Sequence, residues 1–162
     1  MKGNQFTLGL RNTMNIKIVN KSENPLPCYA KEGDAGMDIC AAEDVRLKAF
    51  NWEVIPTGLY LEIPEGYEVQ IRSRSGLSAK HGICVLNSPG TIDSGYRGEI
   101  KVILHNHDHH AYDVKKGERI AQMVVAPITT ATLTEVAELS DSERGEGGLG
   151  STGKWLIKEN IM

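Results

Sequence analysis

Residues Val69 to Leu104, VQIRSRSGLSAKHGICVLNSPGTIDSGYRGEIKVIL, decide the fold class. Short apolar or alternating runs at Val69 to Ile71, Ile83 to Leu86 and Ile100 to Leu104 have the length and two-residue period of strands. Turn chemistry separates them: NSPG at Asn87 to Gly90 and DSG at Asp93 to Gly95. GLSAKH, Gly76 to His81, carries a short helical signal. The same grammar extends outward to strand-like runs at Ile16 to Val19, Met37 to Cys40, Val54 to Ile55, Leu59 to Ile63 and Ile120 to Val125, with further turns at PEG and KKG. No window holds a sustained 3.6-residue apolar stripe. The expectation is an all-β, jelly-roll-like barrel or sandwich with at most a short helix.

A length of 162 residues suits one domain with a real core, and 40% apolar with 24% charged residues excludes disorder throughout. The net charge of −3 provides no global field for nucleic acid or an anionic membrane, so an anionic ligand must be held by local groups. Cys28, Cys40 and Cys84 are widely spaced and suggest neither a zinc site nor a redox pair, which points to a reducing cytoplasm. No run of about 18 apolar residues suggests a membrane span. Residues 1–14 read as a flexible N-terminal extension, 15–143 as the β domain and 144–162 as a glycine-rich lid and tail.

Several segments carry chemistry. RSRSGLSAKHG, Arg72 to Gly82, offers arginines, serine hydroxyls and a helix start suited to phosphate, although taken alone it reads rather as a polar strand end with a helix cap. RGEGGLGSTGK, Arg144 to Lys154, brings glycines, two cations and the Ser151–Thr152 hydroxyls. Trp155 stands where a phosphate loop needs Ser or Thr, which disfavours a phosphate-loop NTPase. NSPGTIDSGYRGEI, Asn87 to Ile100, reads as a hairpin, in which Asp93 and Tyr96 have ordinary turn and packing roles as alternatives. HNHDHH, His105 to His110, reads as a solvated hairpin tip rather than a metal site. No GxSxG elbow marks a serine hydrolase.

In order and spacing, AGMDICA (Ala35 to Ala41), RSGLSAKHG (Arg74 to Gly82), GTIDSGYRGEI (Gly90 to Ile100), GERIAQMVV (Gly117 to Val125) and RGEGGLGSTG (Arg144 to Gly153) resemble the five motifs of the trimeric dUTPase family. The resemblance covers nearly all of Asn15 to Lys154 and implies a homotrimer whose active sites are shared among subunits. It implies hydrolysis of dUTP to dUMP and pyrophosphate, which limits uracil in DNA and supplies dUMP for thymidylate synthesis. Asp93 is the implied base for the attacking water. Arg74, Ser75, Gly76 and Gln122 are implied to hold the phosphates, joined by Arg144, Gly148, Ser151 and Thr152 when the tail closes. Tyr96 is implied to stack under deoxyribose, with Asn87 and backbone near Thr91, Ile92 and Lys101 reading uracil. Mg2+ is implied to arrive on the triphosphate, with Asp38 touching its water shell. Leu149 and Met37 depart from aromatics common in the family, and loss of the lid ring is expected to weaken closure by about 0.5–1.5 kcal/mol. Two other readings remain: a dCTP deaminase on the same fold, and a nucleotide-switched regulator of a protein partner.

Overall fold

The computed structural model describes residues 14–149. The chain divides after Thr129 into two units. The first holds ten strands and one helix: β1 (Lys17–Asn20), β2 (Met37–Cys40), β3 (Val45–Leu47), β4 (Trp52–Glu62), β5 (Tyr67–Ser73), α1 (Ser75–His81), β6 (Ile83–Val85), β7 (Gly90–Ile92), β8 (Ile100–Asn106), β9 (Tyr112–Val114) and β10 (Arg119–Pro127). One four-stranded sheet runs β1-β4-β8-β6, a second runs β2-β10-β5-β7, and β3 pairs with β9. The pairings are antiparallel.

Alternation builds the core. Along β8, Ile100, Val102 and Leu104 are buried, while Lys101, Ile103 and His105 between them face outward. Ile39, Val69, Ile71 and Met123 of the second sheet join them in one cluster with Ile55, Leu59 and Leu61 of the first. Each such aliphatic side chain contributes about 1.5–3 kcal/mol on burial. The all-β expectation holds, and the helical signal is realised as α1, which buries Leu77.

Two strand pairings differ from the sequence reading. Asn87 to Ile100 is not a hairpin: β7 pairs with β5 in one sheet, and β8 pairs with β4 and β6 in the other. The intervening loop, 93–99, therefore crosses between sheets. The cause lies on β4, where the register slips between Pro56 and Leu59. Gly58 there has φ +72, and a Cβ on it would lie 2.8 Å from the Ser22 nitrogen. Its N–H donates to Glu99 Oε1 at 2.9 Å, and the buried Thr57 hydroxyl donates to the Ile100 carbonyl at 2.6 Å. These bonds commit the start of β8 to β4.

His105 to His110 is likewise no hairpin tip, because β9 pairs with β3 rather than β8. Asn106, fully buried, organises that link: its Nδ2 donates to the carbonyls of Leu47, Lys48 and His110, and its Oδ1 accepts from the Asp108 N–H. A buried amide so fully bonded fixes the chain path.

Candidate active site

Asp38 on β2 is the hub of a cationic group. Its Oδ1 accepts from Arg74 Nε at 3.0 Å and from Gln122 Nε2 at 3.4 Å, and its Oδ2 accepts from Arg119 Nη1 at 2.8 Å. Arg74, at the N-terminal edge of α1, also donates from Nη1 to the Arg119 carbonyl at 2.9 Å. Register explains the meeting, since Gln122 lies opposite Asp38 on one side and opposite Arg72 on the other. Two guanidiniums against one carboxylate leave a net positive charge, which suits a polyphosphate. Ser75 and Gly76 follow Arg74 at the exposed start of α1. A recess of about 310 Å³ adjoins, bounded by Cys28, Asp34, Ala35, Gly36, Asp38 and Gln122, so that a second carboxylate borders it.

Cys40 sits two residues beyond Asp38. Burial pushes its thiol pKa up, and the Asp38 carboxylate adds to that. Both effects disfavour the thiolate, the form a cysteine nucleophile needs.

A second group lies across β5, on β7 and the loop that follows it. β7 pairs with β5 so that Gly90, Thr91 and Ile92 face Ile71, Gln70 and Val69. Thr91 is exposed, and β7 is the edge strand of its sheet among the described residues, leaving one side of its backbone unpaired within the sheet. Asn87 packs close to Gly90. Asp93 is exposed and its carbonyl accepts from the Tyr96 N–H at 3.0 Å, closing a turn. Tyr96, 45% exposed, donates its hydroxyl to the Glu99 carbonyl at 3.0 Å. Lys101 lies beyond, on β8, with Nζ 3.8 Å from Glu99 Oε2.

The two groups are far apart within one chain. Asp38 is level with Arg72, and Asp93, one step past Ile92, is level with Glu68. Four residues along and three strand spacings across the β2-β10-β5-β7 order put their backbones about 20 Å apart.

Arg119 was not singled out by the sequence reading, for a definite reason. Arg119 and Gln122 differ in parity, so strict alternation sends them to opposite faces. A register slip between Arg119 and Ala121 resets the alternation and lets both reach Asp38.

In the second unit, Arg144 turns back on its own loop: Nε donates to the Gly147 carbonyl at 2.8 Å, and the Gly147 N–H donates to the Arg144 carbonyl at 3.0 Å. Gly148 follows, and Leu149 is fully exposed. Ser151 and Thr152 lie outside the described residues. Among the described residues no three His, Cys, Asp or Glu side chains converge as a metal cage, and no helix is long and apolar enough to cross a membrane.

A dUTPase family model matches residues 22–153. The deoxyuridine 5'-triphosphate nucleotidohydrolase of Nautilia profundicola is 57% identical over 142 residues, covering 87% of this chain and 100% of its own. The corresponding protein of Cytophaga hutchinsonii is 55% identical over 144 residues, covering 88% of this chain and 94% of its own. Among solved structures, a dUTPase of Staphylococcus bacteriophage 80alpha with dUpNHpp superposes at a TM-score of 0.81 with 34% identity, covering 88% of this chain and 100% of that one. A mutant dUTPase of phage phi11 of S. aureus, described with a structural Mg(II) ion, superposes at 0.73 with 28% identity, covering 79% and 100%. With more than half of its aligned residues shared with nucleotidohydrolases over nearly their whole length, the chain belongs to the dUTPase family.

Proposed function

We propose that this chain hydrolyses dUTP to dUMP and pyrophosphate in sites assembled from different subunits of a homotrimer. The observation that carries the reading is the presence of a net-cationic group at Asp38 together with an Asp93–Tyr96 loop that leaves the far edge strand of the same sheet about 20 Å away. The two halves suit one substrate, but a single chain keeps them too far apart to act on one phosphate chain. An outward apolar face supports association: Trp52, Val54 and Leu86 are 52%, 44% and 49% exposed, and Val54 pairs in register with Ile103. Exposed apolar surface of that kind favours burial against further copies of the chain.

In this reading Arg74, Ser75, Gly76 and Gln122 hold the phosphates, and Arg144, Gly148, Ser151 and Thr152 add contacts from the tail. Asp93 takes a proton from water as the water oxygen bonds to the α-phosphorus. The bond from that phosphorus to the bridging oxygen breaks, and pyrophosphate leaves with the electron pair. Thr91, Ile92 and Lys101 main-chain groups, with Asn87, read the uracil edge, while Tyr96 underlies the deoxyribose and leaves no room for a ribose 2′-hydroxyl. Magnesium, when bound with the triphosphate, supplies charge neutralisation and a fixed phosphate geometry. Asp38 fits contact through that ion's waters, because both its oxygens already accept from guanidinium groups.

The test is a panel of dUTP, UTP, dTTP and dCTP with magnesium, reading pyrophosphate, monophosphate and ammonia together. Pyrophosphate and dUMP from dUTP, with little turnover of the others, is the expected result. Ammonia from dCTP identifies the deaminase reading, and equal turnover of UTP removes the role given to Tyr96.

A further inference from the structure

The crossing loop holds Tyr96 by an arrangement that reaches back to the β4 bulge. Tyr96 folds over Gly98 so closely that a Cβ on Gly98 would lie 2.3 Å from the tyrosine oxygen, 2.5 Å from Cζ and 2.9 Å from Cε2. Those are the three nearest atoms, and all belong to Tyr96. Gly98 does not lie in the left-handed region, so its backbone alone does not require glycine. The requirement comes from the ring above it.

The same hydroxyl end of the ring is anchored. The Tyr96 hydroxyl donates to the Glu99 carbonyl, and the Glu99 carboxylate accepts from the Gly58 N–H at 2.9 Å. That carboxylate is 19% exposed, and Lys101 Nζ stands 3.8 Å from its other oxygen. Gly58 is itself pinned by its left-handed backbone against Ser22. A rigid point on β4 thus fixes Glu99, Glu99 fixes the tyrosine hydroxyl, and the Asp93–Tyr96 turn ties the ring to the proposed base.

We propose that Gly98 and Glu99 are positioning residues that set the height of the Tyr96 ring and, through it, the preference for deoxyribose over ribose. The inference rests on the placement of Tyr96 under the sugar given above. A 2′-hydroxyl is rejected by a ring held at one distance, and a ring displaced by about 1 Å, whether pushed off by a methyl on Gly98 or released when Glu99 loses its anchor, loses that selectivity, since displacements of this size carry large rate effects.

The experiment measures kcat/KM for dUTP and for UTP in the parent, Tyr96→Ala, Gly98→Ala, Glu99→Ala and Glu99→Gln. A purely structural defect lowers both values together and leaves their ratio alone, so the ratio is the readout. Gly98→Ala and Glu99→Ala are expected to lower the dUTP:UTP ratio by about tenfold or more. Glu99→Gln, whose amide oxygen still accepts from Gly58, is expected to retain it. If Tyr96→Ala lowers the ratio while Gly98→Ala keeps the parental value, the positioning inference is wrong and the reading of Tyr96 stands. If Tyr96→Ala keeps the parental ratio, that reading falls and the inference with it. Should Glu99→Ala not fold, Gly98→Ala decides, because the closest clash of its methyl is with the tyrosine ring alone.

Discussion

Mixed oligomers of two inactive variants test the shared site directly. Asp93→Asn removes the proposed base while keeping its shape, and Arg74→Ala removes the guanidinium that donates to Asp38 at 3.0 Å. Each variant alone is expected to lose at least about a hundredfold in turnover. Within one chain the two positions belong to groups about 20 Å apart, whereas attack on phosphorus needs reacting atoms within about 3.5 Å. On the proposed reading each site takes Asp93 from one subunit and Arg74 from another. On random 1:1 mixing, the Asp93 donor is intact with probability one half, and so, independently, is the Arg74 donor. About a quarter of the sites in the closed ring are then restored. The assay is dUTP turnover after the variants are unfolded together and refolded, with native mass spectrometry confirming mixed trimers. Recovery near a quarter of the parental rate supports the assignment. If confirmed mixed trimers are no more active than either variant, Asp93 and Arg74 serve a site within one chain and the reasoning fails.

Three further outcomes follow from particular contacts. Arg119→Ala should raise KM for dUTP about tenfold, the lower end for a charged hydrogen bond, because the Arg119 side chain is 60% exposed and its pair with Asp38 is screened; steady-state kinetics check it. Ending the chain before Arg144 should leave the thermal unfolding of the strand-bearing unit unchanged and lower dUTP turnover about tenfold or more, read by calorimetry beside kinetics. Burial, with the Glu118 hydrogen bond second, pushes the Tyr112 phenol from 10.0 up to about 12. The folded state then holds that proton longer than the unfolded one, so Tyr112 contributes stability in full below about pH 10 and loses it as pH rises towards 12. Tyr112→Phe should flatten the alkaline fall in denaturation midpoint; an equal slope in both proteins would refute the assignment.

The strands that the sequence made legible are those with a clear apolar period, such as Ile100 to Leu104 and Val69 to Ile71. The pairing of those strands was less legible, because it depends on groups remote in sequence. DSG has turn chemistry, and nothing near it announces that Glu99 is bonded to Gly58 on another strand. β3 and β9 were missed because three residues each, VRL and YDV, carry too little periodicity; the buried Leu47 and Val114 and the Arg46–Asp113 pair across them emerge only in three dimensions. At the site, Asp38, Arg74 and Gln122 were named from sequence, and they do come together. Arg119 stayed hidden behind a bulge that reverses parity.

In the proposed trimer, the electrostatics of the isolated chain would give assembly a part in the chemistry as well as in stability. Fixed dipoles and charges stabilise a developing phosphate charge strongly only where water is excluded, and Asp93 is exposed while Tyr96 is 45% exposed. In the Asp38 group the Arg74 and Asp38 side chains are better shielded, 23% and 21% exposed, while Arg119 is 60% exposed; on the proposed reading this group could receive phosphate before the base is in place. A neighbouring subunit that carries its Asp93 loop to this group would supply the base, the sugar platform and the water exclusion together. On the proposed reading, binding the triphosphate and hydrolysing it are separable: a lone chain would keep part of the first and lack the second, because its own Asp93 lies about 20 Å along and across the sheet from the Asp38 group.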